Sequence, residues 1–376
     1  VHILIAPNAF KNSLDATAAA EAIRAGLQQS KLKCTCECFP VGDGGDGTAA
    51  LLIQKCGGKI VPAEVHDPLG RKIRAAFGLI HNGHTAVIEM ADASGLRLLR
   101  RDEYDPLHAN TFGTGELIKC ALDKGVNKII IGIGGSATVD GGTGILQALG
   151  VRFLAAGGKI LSNLPENLAD LGSIDLSGLD QRISHCALTV LCDVEYPLLG
   201  EQGAARVFGP QKGATGPVIE KLEAGLTKLR DVVFRQTGKD LAAIKHGGAA
   251  GGVAAGLHGL LNAKLVNGID HFLDVTGFGD ALQKADLVIT GEGRMDEQTL
   301  HGKGPFGVAL KAREKNVPVI GLAGRVALEA DAPLRRYFAR LLDISDASVK
   351  LDKALQNTAS NLRRTAMELG DRLAVK

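Results

Sequence analysis

The chain contains no tryptophan, and Phe, Trp and Tyr together supply only 4% of its residues. That scarcity argues against base-stacking platforms and aromatic protein-binding anchors. An excess of one charge is also missing. Forty-three Lys+Arg against 41 Asp+Glu leave a formal net charge of +2, so nothing steers the chain to nucleic acid or anionic lipid. No run reaches the ~18 apolar residues that a membrane helix requires. The apolar start Val1–Pro7 has no basic flank and no cleavage pattern, so it reads as a first strand. The seven cysteines include no C-x-x-C pair. Cys34, Cys36 and Cys38 alternate, which places them on one face of a half-buried strand in a reducing cytoplasm.

Several catalytic signatures are absent as well. Gly-Lys pairs at 58, 158, 238 and 302 are never followed by Ser or Thr, which excludes a Walker A loop. The ten histidines form no H-x-x-x-H pair, and no G-x-S-x-G elbow occurs. What the chain has in quantity is glycine: 49 of 376 residues, about 13%, against a usual ~7%. The excess clusters in short loops, where a missing side chain lets backbone approach a small ligand.

At roughly 150 residues per domain the length predicts about two domains. The first sixty residues read strand–helix–strand–helix: Val1–Ala6, Ala16–Leu27 opened by Asp15, Cys34–Val41, and Gly47–Lys55. The segments Lys59–Glu64, Arg71–Leu79 and Thr85–Glu89, joined by turns such as Asn82-Gly83, predict antiparallel hairpins. Lys128–Ile133 and Ala187–Cys192 read as strands, with 157–185 irregular, and Val218–Phe234 as an amphipathic helix near Pro217. After a Gly/Ala-rich stretch at 247–261, a βαβ rhythm returns and ends in one long helix over Val349–Leu373. These patterns predict two different α/β domains. Residues 1–60 and 280–376 form a doubly wound Rossmann-like domain of mostly parallel strands, and 61–279 form an inserted mixed α/β domain.

Pro7–Leu14, Gly42–Thr48 and Gly291–Lys303 are glycine-bearing loops that follow strands of the outer domain. In an open parallel sheet they would meet at the carboxyl ends of the strands. They collect Lys11, Asp43, Asp46, Glu292, Arg294, Asp296 and Lys303, and carboxylates among glycines beside cations suit Mg²⁺-dependent phosphoryl transfer. The inserted region adds Gly132–Gly142, Asp193 after an apolar strand, and Lys212 before a helix start. Gly132, Gly134 and Ala137 fit G-x-G-x-x-A, but residues 151–161 carry no acidic side chain for a ribose, so the dinucleotide fingerprint is incomplete. The stretch 247–261 fits either an open helix start facing phosphate or close helix packing.

Taken together, Ile5-Ala-Pro7 with Phe10-Lys11, Val41–Thr48, Pro106-Leu107, Phe112–Ile118, Gly132–Gly142, Cys192-Asp193, Phe208–Gly213, Gly291–Asp296 and Gly302–Pro305 resemble the bacterial glycerate kinases of the first type, over essentially the whole chain. The resemblance implies ATP- and Mg²⁺-dependent phosphorylation of glycerate, with D-glycerate converted at its 2-hydroxyl to 2-phosphoglycerate, and an active site in the cleft between two α/β domains. On residue chemistry, Gly134, Gly135, Ser136 and Lys212 are candidates for the ATP phosphates, and Asp43, Asp46 and Glu292 for Mg²⁺. Asp193 and Asp296 compete to orient and deprotonate the attacking hydroxyl. Lys11, Arg294 and Lys303 would pair with the substrate carboxylate or the transferred phosphoryl group. The family usually has Asp-Ser where this chain has Asn8-Ala9, and Glu where it has Asp46. Loss of that carboxylate and hydroxyl predicts a slower site or another preferred hydroxy acid. A 3-phosphoglycerate-forming kinase, a nicotinamide-dependent dehydrogenase and a non-catalytic sugar-acid-binding protein are the alternatives.

Overall fold

In the computed structural model, which describes residues 1–329, 332–346 and 348–375, the chain forms two units. The first joins Val1–Asp43 to Gly268–Lys376, and the second is Gly44–Asn267. The expected boundaries at 60/61 and 279/280 therefore lie at 43/44 and 267/268. The reason is packing. Helix Thr48–Lys55 lies on the strands of the second unit, with Ile53 against the bare backbone of Gly78. Helix Gly268–Val275 packs on helix Gly304–Glu314, where Ile269 meets Gly307.

The first unit is built on an all-parallel sheet in the order Arg340–Asp343, Val319–Val326, Leu287–Met295, His2–Ile5, Thr35–Cys38. Ile3, Ile5 and Ile289 share one core with Ile23 and Leu27 of helix Ala16–Gln29 and Leu362 and Leu369 of helix Thr358–Ala374. Asp15 caps the first of these helices, accepting from the Ala18 N–H at 2.8 Å. The sheet reverses its winding between His2–Ile5 and Leu287–Met295, the switch point where open parallel sheets form ligand crevices. The single terminal helix read from the sequence is two, Leu351–Gln356 and Thr358–Ala374. Asn357 leaves helical geometry between them and its side chain bonds back to the Lys353 carbonyl at 2.9 Å.

The second unit holds a six-stranded mixed sheet, ordered Lys264–Asn267, Ala187–Cys192, Lys128–Gly132, Thr85–Glu89, Lys72–Ile80, Lys59–His66. The last three strands form the expected antiparallel hairpins, and the first four run parallel. The region 157–185 is more ordered than its sequence suggested: Leu171–Asp175 pairs antiparallel with Arg152–Ala155. Strands that short, with a bulge between Leu154 and Ala155, are too brief to show an alternating pattern. Helix Gly216–Thr237 buries Leu222, Leu226, Leu229, Val232 and Val233, the face its spacing predicted. Within Ala249–Leu261 the backbone is left-handed at Ala250, Gly251 and Gly252, and Gly256 is required by close packing, because a side chain there would fall 1.9 Å from the Gly141 carbonyl. No helix among the described residues is long and apolar enough to cross a membrane.

Candidate active site

In the first unit the switch point gathers polar groups. The strand His2–Ile5 leads into Asn8, whose N–H donates to the Gly291 carbonyl at 2.8 Å and so ties it to the neighbouring strand. Asn8 is buried; its Oδ1 accepts from the Ala9 N–H at 2.8 Å and its Nδ2 donates to Asp43 Oδ2 at 2.7 Å. Asp43 is buried too, and the same oxygen lies 3.4 Å from the N–H of Gly304, which opens helix Gly304–Glu314. The positive end of that helix favours a carboxylate there.

Glu292 lies near the carboxyl end of strand Leu287–Met295, 8% exposed, with Oε1 accepting from Thr299 Oγ1 at 3.1 Å. Burial pushes its carboxyl up to about 7; Lys303 opposes that shift, the charge of Asp43 adds to it, and Lys11 opposes it. Asp43, Lys303 and Lys11 thus each act on Glu292 electrostatically. Asp296 is engaged differently. It caps the turn Glu297–His301, accepting from the Gln298 N–H at 3.1 Å. It also accepts from Arg294 Nε at 2.9 Å and pairs with Lys303 Nζ at 3.8 Å. Asp296 therefore shapes the loop that carries Thr299 and Lys303, and Arg294 is largely exposed.

In the second unit the glycine loop after strand Lys128–Gly132 is brought to Lys212. This lysine is only 2% exposed; its Nζ donates to Ser136 Oγ at 2.8 Å and to the Thr138 carbonyl at 2.7 Å. Burial lowers its ammonium to about 7, against the pull of nearby Asp140. Gly134 donates to the Gly44 carbonyl at 3.2 Å, and a side chain there would come within 2.5 Å of the Gly45 Cα. The glycine that resembled part of a dinucleotide fingerprint is thus a packing requirement between two loops. Asp193 directly follows strand Ala187–Cys192 and is half-buried. Asp46 is exposed and bonded to Arg97 Nη1 at 2.8 Å, and Arg97 also bonds Asp92.

Several polar residues of this unit escaped sequence reasoning. Glu89 ends a wholly buried strand and its two oxygens accept from the N–H groups of Gly47 and Ala49. Burial pushes its carboxyl up to about 7. The N-terminus of helix Thr48–Lys55 is thereby satisfied by a protein carboxylate. Asp140 is fully buried and accepts from Thr111, Gly142 and Gly144, while burial drives its carboxyl upward. The one available signal was acidic residues at the ends of apolar runs, too common a pattern to single them out. Among the described residues no group of three or more His, Cys, Asp or Glu side chains is placed to hold a metal ion.

The sequence model described as the glycerate kinase family matches residues 3–374. The chain belongs to the glycerate kinase family. Among its relatives, a protein of Bacillus subtilis (strain 168) named glycerate kinase is 45% identical over 98% of this chain and 96% of its own. A protein of Escherichia coli (strain K12) named glycerate 2-kinase is 40% identical over 99% of this chain and 98% of its own. A crystal structure from Salmonella typhimurium LT2, provisionally titled glycerate kinase 2, superposes with a TM-score of 0.84 at 43% identity. It covers all of this chain and 98% of that one. This member of the family thus shares its α/β architecture, a parallel sheet and a mixed sheet, with that structure.

Proposed function

We propose that this protein phosphorylates D-glycerate at its 2-hydroxyl, using ATP and Mg²⁺, to give 2-phosphoglycerate and ADP in the cytoplasm. What supports this most is the family match over residues 3–374, together with the 40% identity to the relative named glycerate 2-kinase. All seven cysteines are free, which suits a reducing compartment.

Asp43 and Glu292 have the chemistry that Mg²⁺ takes from protein: one or two carboxylates, with substrate phosphates and water completing the shell. Asp43 raises the carboxyl of Glu292, and a cation beside them would relieve that repulsion. Asp46 is assigned to Arg97 instead. The metal, when bound, would neutralise phosphate charge. Lys11 and Lys303, already in the field of Glu292, are assigned the transferred phosphoryl group and the glycerate carboxylate. Lys212 fixes Ser136 and the Thr138 carbonyl, so Gly134, Gly135 and Ser136 present a preset loop to the nucleotide phosphates. Asp193, at a strand end, is assigned the proton of the attacking hydroxyl. Asp296 is assigned to loop positioning.

The test is incubation with Mg-ATP and D-glycerate followed by ³¹P NMR. A 2-phosphoglycerate resonance is expected. A 3-phosphoglycerate resonance alone would overturn the site of transfer, and no phosphoglycerate would overturn the function.

A further inference from the structure

The second unit contains a cavity of about 380 Å³ lined by helix Thr48–Lys55, strands Lys72–Ile80 and Thr85–Glu89, and Arg97. Its size falls within the roughly 300–1,000 Å³ range of small-molecule sites. The walls are apolar, formed among others by Ala49, Ala50, Ile53 and Phe77. Ile60 also lines it and is 71% exposed, a large aliphatic side chain with little to cover it. The charged acceptors of the lining are Glu89 and Asp92; Gln54 adds a neutral amide, and Arg97 is tied to both Asp46 and Asp92.

That composition selects a class of ligand. Phosphate is disfavoured inside, since the N–H groups of Gly47 and Ala49 already bind Glu89, and the two carboxylates of the lining, Glu89 and Asp92, would repel it. A flat, uncharged ring with an amino donor suits apolar walls beside carboxylates, and an Arg guanidinium offers a plane on which it can stack. The cavity is also connected to the glycine loop. The N–H of Leu96, the residue before Arg97, donates to the Gly135 carbonyl at 2.9 Å, and the Gly45 backbone packs on Gly134 two residues before Gly47.

We propose that this cavity receives the adenine ring of the nucleotide, its amino group directed to the Glu89–Asp92 end, with the phosphates leading to the Gly134–Ser136 loop. This assignment rests on the kinase reading above. It also predicts a preference for adenine over a 6-oxopurine, whose carbonyl would face carboxylates.

The native chain has no tryptophan, so Ile60→Trp introduces a single indole at the cavity. Adenosine, lacking phosphate, should change its emission saturably, and inosine should bind about tenfold more weakly, the scale of one lost polar contact. Adding Ala50→Phe, a substitution at an exposed position that fills the cavity, should weaken adenosine by about tenfold or more. In the otherwise native chain Ala50→Phe should raise KM for ATP by a similar factor while KM for glycerate stays within about twofold. Circular dichroism checks that each variant is folded. No saturable response to adenosine, equal binding of inosine, or indifference of both adenosine binding and KM for ATP to Ala50→Phe would each overturn the cavity assignment. Phosphoglycerate formed by the native enzyme alongside such a result would leave the kinase function standing. Adenosine binding without phosphoglycerate would overturn the kinase function and leave the base site.

Discussion

Replacement of Lys212 by methionine should change the pH dependence of stability in a defined direction. The ammonium is held near 7 in the folded chain, against an ordinary value of 10.5, chiefly because it is buried. Between those values the unfolded chain keeps a proton on Lys212 that the folded chain releases. The unfolded state then binds more protons, and the lysine's contribution to stability rises with pH. Below pH 7 both states carry the charge, and the folded state bears the full cost of burying it. The gap of about 3.5 units, at about 1.4 kcal/mol each, amounts to roughly 5 kcal/mol, fully relieved only above pH 10.5. The methionine variant has no such titration. It loses the bonds to Ser136 and the Thr138 carbonyl, an offset of about 1 kcal/mol each that does not vary with pH, because a neutral amine donates them as well. Urea unfolding of both proteins, followed by circular dichroism at pH 7.0, 8.0 and 9.0 and fixed ionic strength, gives the difference directly; titrations common to both cancel. Native stability minus variant stability should grow by about 1 kcal/mol between pH 7 and 8, where the folded lysine is still losing its proton, and by slightly more between pH 8 and 9, roughly 2 kcal/mol over the range. A constant difference would refute the reasoning, and would mean that Lys212 keeps its proton in the fold through its attraction to Asp140.

Two further outcomes concern the first unit. Asn8→Asp sets a second carboxylate where an amide now donates to Asp43 at 2.7 Å, a repulsion of up to about 4 kcal/mol before proton uptake relieves it. Calorimetry without Mg²⁺ should show a lowered melting temperature, and added Mg²⁺ should raise it more than it does for the native chain; equal shifts would argue against a cation beside Asp43. Asp296→Asn keeps a capping side chain, so kcat should fall by less than about tenfold, whereas Asp296→Ala should cost about 1 kcal/mol in urea unfolding. A loss of kcat in the asparagine variant of 10² or more, the usual scale of a removed base, would restore Asp296 as the catalytic carboxylate.

Elements were legible from the sequence where local chemistry decides them. The buried stripe Leu222–Val233, the Asp15 cap and the hairpins of 59–89 follow from spacing and turn residues alone, and so does the βαβ rhythm that returns after residue 280. Order on the scale of a whole chain was legible too: the succession of glycine loops was enough to suggest the family. The environment of each polar group was not. Asp43, Asp46, Glu292 and Asp296 look alike as acidic residues among glycines. The fold distinguishes them, with one bonded to the Asn8 amide, one to Arg97, one buried beside Thr299 and one capping a turn. Lys212 read as a loop cation before a helix start, a candidate for phosphate; its burial, bonded to a segment more than seventy residues earlier, was not legible. Domain boundaries failed for the same reason, since Thr48–Lys55 and Gly268–Val275 are placed by what they pack against. Periodicity and caps involve neighbours within a turn or two, which one stretch of sequence contains. Burial, and with it the proton affinity of a carboxylate or an amine, depends on partners distant in the chain, and only the tertiary structure brings those partners together.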